Sequence, residues 1–333
     1  MSPAAGPRRA ILFLQLGGPS TLEEVPGFLY RLFEDPEVLR VRPRILRRAL
    51  AGAIALARQG ASKKLYASIG GASPIRRWTE AQAAAVQEIL RREGREAHVR
   101  AAMNCAAPLV EDVVRDLSRG GVDRFLALPL YPQYSLTTTK GALDRAREAV
   151  RHHAPGARLE EVGSWPTHPL FVQAHADAIA REAAKFPDPR PEAIHLLFSA
   201  HSIPRKLVER LGDPYAREVE ASVAAILAHL GNGYASRLAW QSKLGPVEWL
   251  APATLDVIRE LGAAGARQVL VVPIAFVTDH VETLYEIDQL FAEAAASAGI
   301  THFRRTPGLN LDPTFLDALA DIVRSRASFW ADP

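Results

Sequence analysis

A single cysteine, Cys105, stands among 333 residues. That excludes an intramolecular disulfide and any zinc or iron–sulfur site built from several cysteines of one chain. It fits a reducing compartment. Charge of one sign is lacking too: 40 Lys and Arg face 37 Asp and Glu, a net +3. So small an excess gives no general grip on nucleic acid. No apolar run reaches bilayer-spanning length. No charged-then-apolar leader opens the chain, so a cytoplasmic protein is expected, with 1–9 as a loose tail. There is no low-complexity segment, short-period repeat, Walker-type lysine loop or Gly-x-Ser-x-Gly elbow. Gly17-Gly18-Pro19 lacks the third Gly with which a dinucleotide fingerprint opens the next helix, and reads first as a tight turn.

What is present is alternation. Hydrophobic content of 48% and charged content of 23% are ordinary for a globular chain, and the length suits a two-domain α/β enzyme. Apolar runs predict strands at 10–16, 99–103, 125–130, 159–162, 194–198, 237–240 and 269–274. Helical periodicity lies between them, for example at 80–92, 169–185 and 281–296. Strands alternating with helices imply parallel sheets covered on both faces. The pattern runs once and starts again at 194. It predicts two similar doubly wound domains, 8–165 and 166–328, divided near Trp165-Pro166-Thr167-His168-Pro169. A cleft between such domains is a usual ligand site.

Two strand ends carry the candidate chemistry. The run 194–198 stops in Ser199-Ala200-His201-Ser202. The carboxyl end of a strand in an open α/β sheet is where ligands bind, and a His there suits acid–base work or metal ligation. It equally suits a His that only caps nearby backbone. Thr278-Asp279-His280-Val281-Glu282 follows the run ending in Ile274. Glu286, four residues on, shares a helix face with Glu282, while Asp279 and Glu282 also have the spacing of a helix-capping pair. If adjacent strands aim His201 and Glu282 together, one His and one carboxylate without thiolate suit a transient divalent ion or proton transfer. Aromatic residues in the loops after strands suit a flat ligand, or cap the core. The stretch 39–56 interleaves Arg40, Arg42, Arg44, Arg47 and Arg48 with apolar residues. It reads as a lip for an anionic membrane surface or as a solvated helix with one core face.

Several strings together resemble the ferrochelatase family: LQLGGPSTLEEV, YASIGGASPI, LPLYPQYS, FSAHSIP, GDPY, WQSKLGP and FVTDHVETLYEID. The resemblance implies two Rossmann-like domains with four-stranded-type parallel sheets and an interdomain porphyrin cleft. It implies insertion of Fe²⁺ into protoporphyrin IX, giving protohaem and two protons as the terminal step of haem biosynthesis. The rivals are the same chemistry on coproporphyrin III and a non-catalytic tetrapyrrole carrier. By this resemblance His201 and Glu282 are the catalytic residues and metal ligands. Leu16, Leu32, Trp249 and Phe276 are apolar porphyrin walls, and Arg58, Tyr66 and Ser73 are further porphyrin contacts. His280, Glu286 and Asp288 form a proton path or supporting shell. Fe²⁺ is a substrate, and no permanent cofactor is implied. Some members carry a [2Fe–2S] cluster, for which one Cys105 is too few. A monomer or weak dimer is expected. The chain departs from the family at Asn104-Cys105, where a bulky pair is common, and at Lys140, which is expected to supply a substitute charge for a propionate.

Overall fold

Apolar runs like those at 10–16 and 194–198 must bury side chains on both faces. The computed structural model, which describes residues 8–331 apart from Asn232, Leu244 and Pro246, puts each run at the middle of a four-stranded, all-parallel sheet. The first seven residues of the expected loose tail lie outside the described residues.

The first unit extends to Ser164 and takes back the residues from Leu316 onward. Its strands are β1 (Arg9–Gln15), β2 (His98–Met103), β3 (Arg124–Pro129) and β4 (Arg158–Glu161), ordered β2-β1-β3-β4. Ala10 to Leu14 are fully buried. Leu12, Leu14 and Phe125 pack against Val114 and Ala146 of the covering helices. Those helices are α1 (Val25–Glu34), α2 (Arg44–Ser68), α3 (Ile75–Arg92), α4 (Val110–Arg119) and α5 (Gly141–His153). A helix in each connection is what parallel pairing demands.

The second unit, Trp165–Phe315, repeats this plan. Its strands β5 (His195–His201), β6 (Ala235–Gln241), β7 (Gln268–Pro273) and β8 (His302–Arg305) are ordered β6-β5-β7-β8. Its helices are α6 (Pro169–Ala183), α7 (Arg205–Leu211), α8 (Tyr215–Leu230), α9 (Thr254–Ala263) and α10 (Ala292–Ser297). The chain closes with α11 (Pro313–Arg324) and α12 (Ala327–Trp330). In each unit the chain leaves the central strand for one neighbour and then crosses to the other. The crevices at the carboxyl ends of β1 and β3, and of β5 and β7, are therefore topological switch points, where open α/β sheets bind ligands. The registers match: Leu14 pairs with Pro129, and Ser199 pairs with Pro273. A π-helical segment follows in both units, Leu136–Lys140 and Glu282–Phe291.

Several expectations need correction. The second domain does not run to 328, because the chain end is tied to the first unit. Arg9 donates to the carbonyls of Phe329 and Trp330, Arg324 pairs with Glu93, and the Arg95 guanidinium lies 5.1 Å from the Trp330 ring. Strand β8 was not expected, since its four residues, HFRR, form no apolar run. The helix expected at 281–296 is π-helical as far as Phe291. Within 39–56, helix begins at Arg44. Ala51 and Ala55 face inward, while Ile45, Leu46 and Leu56 are 86%, 56% and 70% exposed. Among the described residues no helix is long and apolar enough to cross a membrane.

Candidate active site

The central strand of the second unit outlasts its apolar run. β6 keeps pairing with β5 through Gln241 opposite His201, and the Ser202 N–H donates to the Gln241 carbonyl at 2.8 Å. His201 is thus the last residue of a strand rather than the first of a loop. Beside it, β7 ends at Pro273, and the chain makes a turn before the π-helical segment that opens with Glu282. Both side chains stand at the switch point of this sheet.

Glu282 lies between two imidazoles. Its Oε1 is 3.4 Å from His201 Nε2, and its Oε2 is 3.3 Å from His280 Nε2. The other nitrogen of each ring faces a carbonyl, which can only accept. His201 Nδ1 donates to Ser202 O at 2.6 Å, and His280 Nδ1 donates to Thr278 O at 3.0 Å. Each Nδ1 therefore carries a proton, and each Nε2 is the nitrogen that gains or loses one. Burial opposes a charged His201, but the Glu282 charge and hydrogen bond, Glu286 and the Ser202 carbonyl outweigh it and raise the imidazole to about 9. Burial likewise opposes a charged Glu282, and the two imidazoles more than offset it, holding the carboxyl far below the usual carboxylate range. The site rests as an imidazolium facing a carboxylate, 37% and 26% exposed, open on one side.

Glu286 stands one turn further on. Gln241 Nε2 donates to its Oε2 at 2.8 Å, and Ser242 Oγ donates to the same oxygen at 2.5 Å. Ser242 reaches it from a left-handed backbone, φ 65°. The Gln241 oxygen accepts from Ser199 Oγ at 2.7 Å, so β5, β6 and the π-helical segment share one network. Burial and the neighbouring Glu282 charge push the Glu286 carboxyl up, against these two donors. Gln241 and Ser242 were legible only as residues after an aromatic strand end. Their signal, a buried amide at the end of a strand, needs the sheet register to be seen.

The structure does not bring Asp288 into this group. Its carboxylate is forked by Arg305 at 2.7 and 2.9 Å. Phe276 fits the expected wall, with its ring centre 4.6 Å from His280 and 6.5 Å from His201. Trp249 bridges to Pro204, just beyond His201, and its indole N–H is buried without a partner. The other expected porphyrin contacts belong to the first unit. Leu16, partly buried, follows β1 at the position that His201 holds on β5. Leu32 is partly buried on α1. The Arg58 guanidinium lies 5.9 Å from the Phe33 ring, and the buried Tyr66 meets Phe28 edge-on at 6.5 Å. Ser73 is held as structure: its N–H donates to Pro19 O, and a Cβ on Gly18 would fall 2.6 Å from it. Lys140 is not spare charge, since Glu37 and Asp144 take its ammonium at 2.8 and 2.7 Å.

Among the described residues no set of three or more His, Cys, Asp or Glu is arranged to hold a metal ion. Glu282 and His201 present one carboxylate and one imidazole, with no thiolate beside them.

Comparison with known proteins adds sequence and fold. A ferrochelatase from Synechococcus sp. (strain JA-3-3Ab) is 46% identical over 95% of this chain and 93% of its own length. One from Synechocystis sp. is 43% identical over 95% of this chain and 82% of its own length. Among solved structures, SirB from Bacillus subtilis with Fe³⁺ superposes with a TM-score of 0.57 at 14% identity, covering 97% of this chain and 99% of that one, a likeness of fold alone. The sequence profile of the ferrochelatase family matches residues 8–327, and by this match, with relatives above 40% identity along nearly its whole length, the chain belongs to the ferrochelatase family.

Proposed function

We propose that the protein is a metal chelatase, a lyase that inserts Fe²⁺ into protoporphyrin IX and releases two protons. The observation that carries this reading is the open pair His201–Glu282 at the switch point of the second unit. Insertion must strip protons from two pyrrole nitrogens, and His201 Nε2, at the end of a rigid strand, becomes a base for them once it gives up the proton that the facing Glu282 carboxylate holds on it. The ion must shed water and be handed over, so a carboxylate and an imidazole hold it more suitably than a closed cage. Phe276 offers flat apolar surface near the imidazoles, and Trp249, bridged to Pro204 three residues after His201, is a further proposed wall. Leu16, Leu32, Arg58 and Tyr66 remain proposed porphyrin contacts of the first unit. No resident cofactor is proposed: Cys105 is buried, and burial pushes its thiol up to about 12, far from the thiolate a cluster needs.

The deciding experiment is anaerobic Fe²⁺ insertion followed by loss of porphyrin fluorescence, with protoporphyrin IX and coproporphyrin III run in parallel. Faster turnover of protoporphyrin is expected. Preference for coproporphyrin moves the substrate while keeping the chemistry. Tight binding of both without turnover makes the chain a carrier and ends this proposal.

We also propose peripheral contact between 39–56 and an anionic membrane on the cytoplasmic side. Between Val38 and Thr79 the chain carries Lys and Arg but no Asp or Glu. The outward face of α2 shows Ile45, Leu46 and Leu56 to water beside Arg42 and Arg44. Apolar area beside cations is what binds such a surface. Flotation with phosphatidylglycerol vesicles should carry the protein upward, and Ile45→Glu with Leu56→Glu should leave it at the bottom. Equal flotation of both proteins would contradict the contact.

A further inference from the structure

The turn between β7 and the π-helical segment carries both His280 and Glu282, and beyond the His280–Thr278 hydrogen bond it is braced from outside. That work falls on the segment that follows β8. Asn310 sits in the left-handed region, φ 43°, which Asn tolerates. From there its Nδ2 donates to Asp279 Oδ2 at 2.7 Å, its Oδ1 accepts from the Asp279 N–H at 3.0 Å, and its own N–H donates to Val277 O at 2.9 Å. Gly308 donates to Asp279 Oδ1 at 3.2 Å. A Cβ on Gly308 would fall 2.7 Å from Asp279 N and 2.8 Å from Thr278 C, so the two segments meet backbone to backbone.

Arg305 closes the arrangement. Its Nη1 is 2.8 Å from Asp279 Oδ1, and its Nε and Nη2 fork onto Asp288 further along the π-helical segment. One guanidinium thus grips the turn before the segment and the segment itself. Asp279 passes this hold inward: it accepts from Thr283 Oγ1 at 3.0 Å, and the same oxygen accepts from the His280 N–H at 3.0 Å. Arg305 and Asp279 are each only 12% exposed. A planar fork between two carboxylates is a geometry that lysine cannot reproduce.

We infer that Arg305 and Asn310 are positioning residues for metal transfer: through Asp279 they fix the turn that aims His280 and Glu282. The inference rests on the chelatase reading above but is separable from it. Misplacing a reacting group by about 1 Å can cost roughly 10²-fold in rate.

The test uses the whole chain with Asn310→Gly, which keeps the backbone freedom and removes the brace, together with Arg305→Met and Arg305→Lys. Two readouts are taken at a temperature where circular dichroism finds every variant folded. In turnover, Asn310→Gly and Arg305→Met should lower kcat/KM for Fe²⁺ about 10- to 100-fold, with KM for porphyrin within about twofold, and Arg305→Lys should fall between. In the metal-free proteins, imidazole ¹⁵N spectra should show His280 and His201 displaced or broadened while His175 stays fixed. Wild-type kcat/KM per folded molecule, or unmoved His280 and His201 signals, would overturn the inference. If the wild type inserts no metal at all, the chelatase reading fails alone, and the imidazole spectra still decide for or against the clamp.

Discussion

Glu282 is set between two imidazoles whose outer nitrogens are both tied to carbonyls. That fixes which nitrogen of each ring exchanges a proton, so chemistry is confined to one small space. The Gln241 amide and the Ser242 hydroxyl both donate to Glu286. Gln241→Ala leaves that carboxyl with one donor fewer beside the Glu282 charge. Turnover should drop several-fold with porphyrin affinity kept, which steady-state kinetics with fluorescence titration would check. His201 and Glu282 were legible in the sequence because each follows an abrupt end of an apolar run. Arg305 and Asn310 were not. They come from a segment with no periodicity, and their partner, Asp279, reads in sequence as a helix cap.

Single elements carry the stability that keeps this geometry. Phe198 is fully buried in β5, between the pairings that lead to His201. Phe198→Ala should cost about 3–5 kcal/mol, visible as a lower Tm and a lower denaturant midpoint. Helix α6 holds a different device. His175 is buried, packs edge-on against Phe171 at 4.7 Å, and neither ring nitrogen has a hydrogen-bond partner. Burial pushes its imidazole down to about 3. In the unfolded chain it titrates near 6.5. Below that pH the unfolded state binds the extra proton, so the contribution to stability is whole above about 6.5 and is lost as pH falls toward 3, at roughly 1.4 kcal/mol per pH unit. His175→Leu should flatten the fall of Tm between pH 6.5 and 4, and parallel curves for the two proteins would contradict this origin. At this scale helices and buried strands were readable from periodicity. Strand β8 was missed because an edge strand of four residues with two arginines needs no apolar run. The length of β5 was missed because pairing with Gln241, not hydrophobicity, extends it.

At the scale of the whole chain, one plan is used twice with different chemistry. Leu14–Pro129 and Ser199–Pro273 are equivalent pairings, which makes Leu16 the counterpart of His201. Thr138 lies as far beyond Pro129 as Glu282 lies beyond Pro273. The first unit therefore offers a leucine and a threonine where the second offers an imidazole and a carboxylate. The repeat was visible in the sequence as an apolar run that starts again at 194. The return of the chain end to the first unit was not, since it depends on Arg9, Arg95 and Arg324 meeting partners far away in sequence. Deleting the residues after Ser325 should speed hydrogen exchange in β1 and β3 and leave β5 and β7 as they were. The central claim is that the His201–Glu282 pair carries metal insertion, and it is tested most directly by anaerobic Fe²⁺ insertion in His201→Ala and Glu282→Gln, with porphyrin affinity measured on the same samples. The account predicts turnover down by roughly 10²- to 10⁴-fold in each with porphyrin still bound, whereas near wild-type turnover in either variant would contradict it.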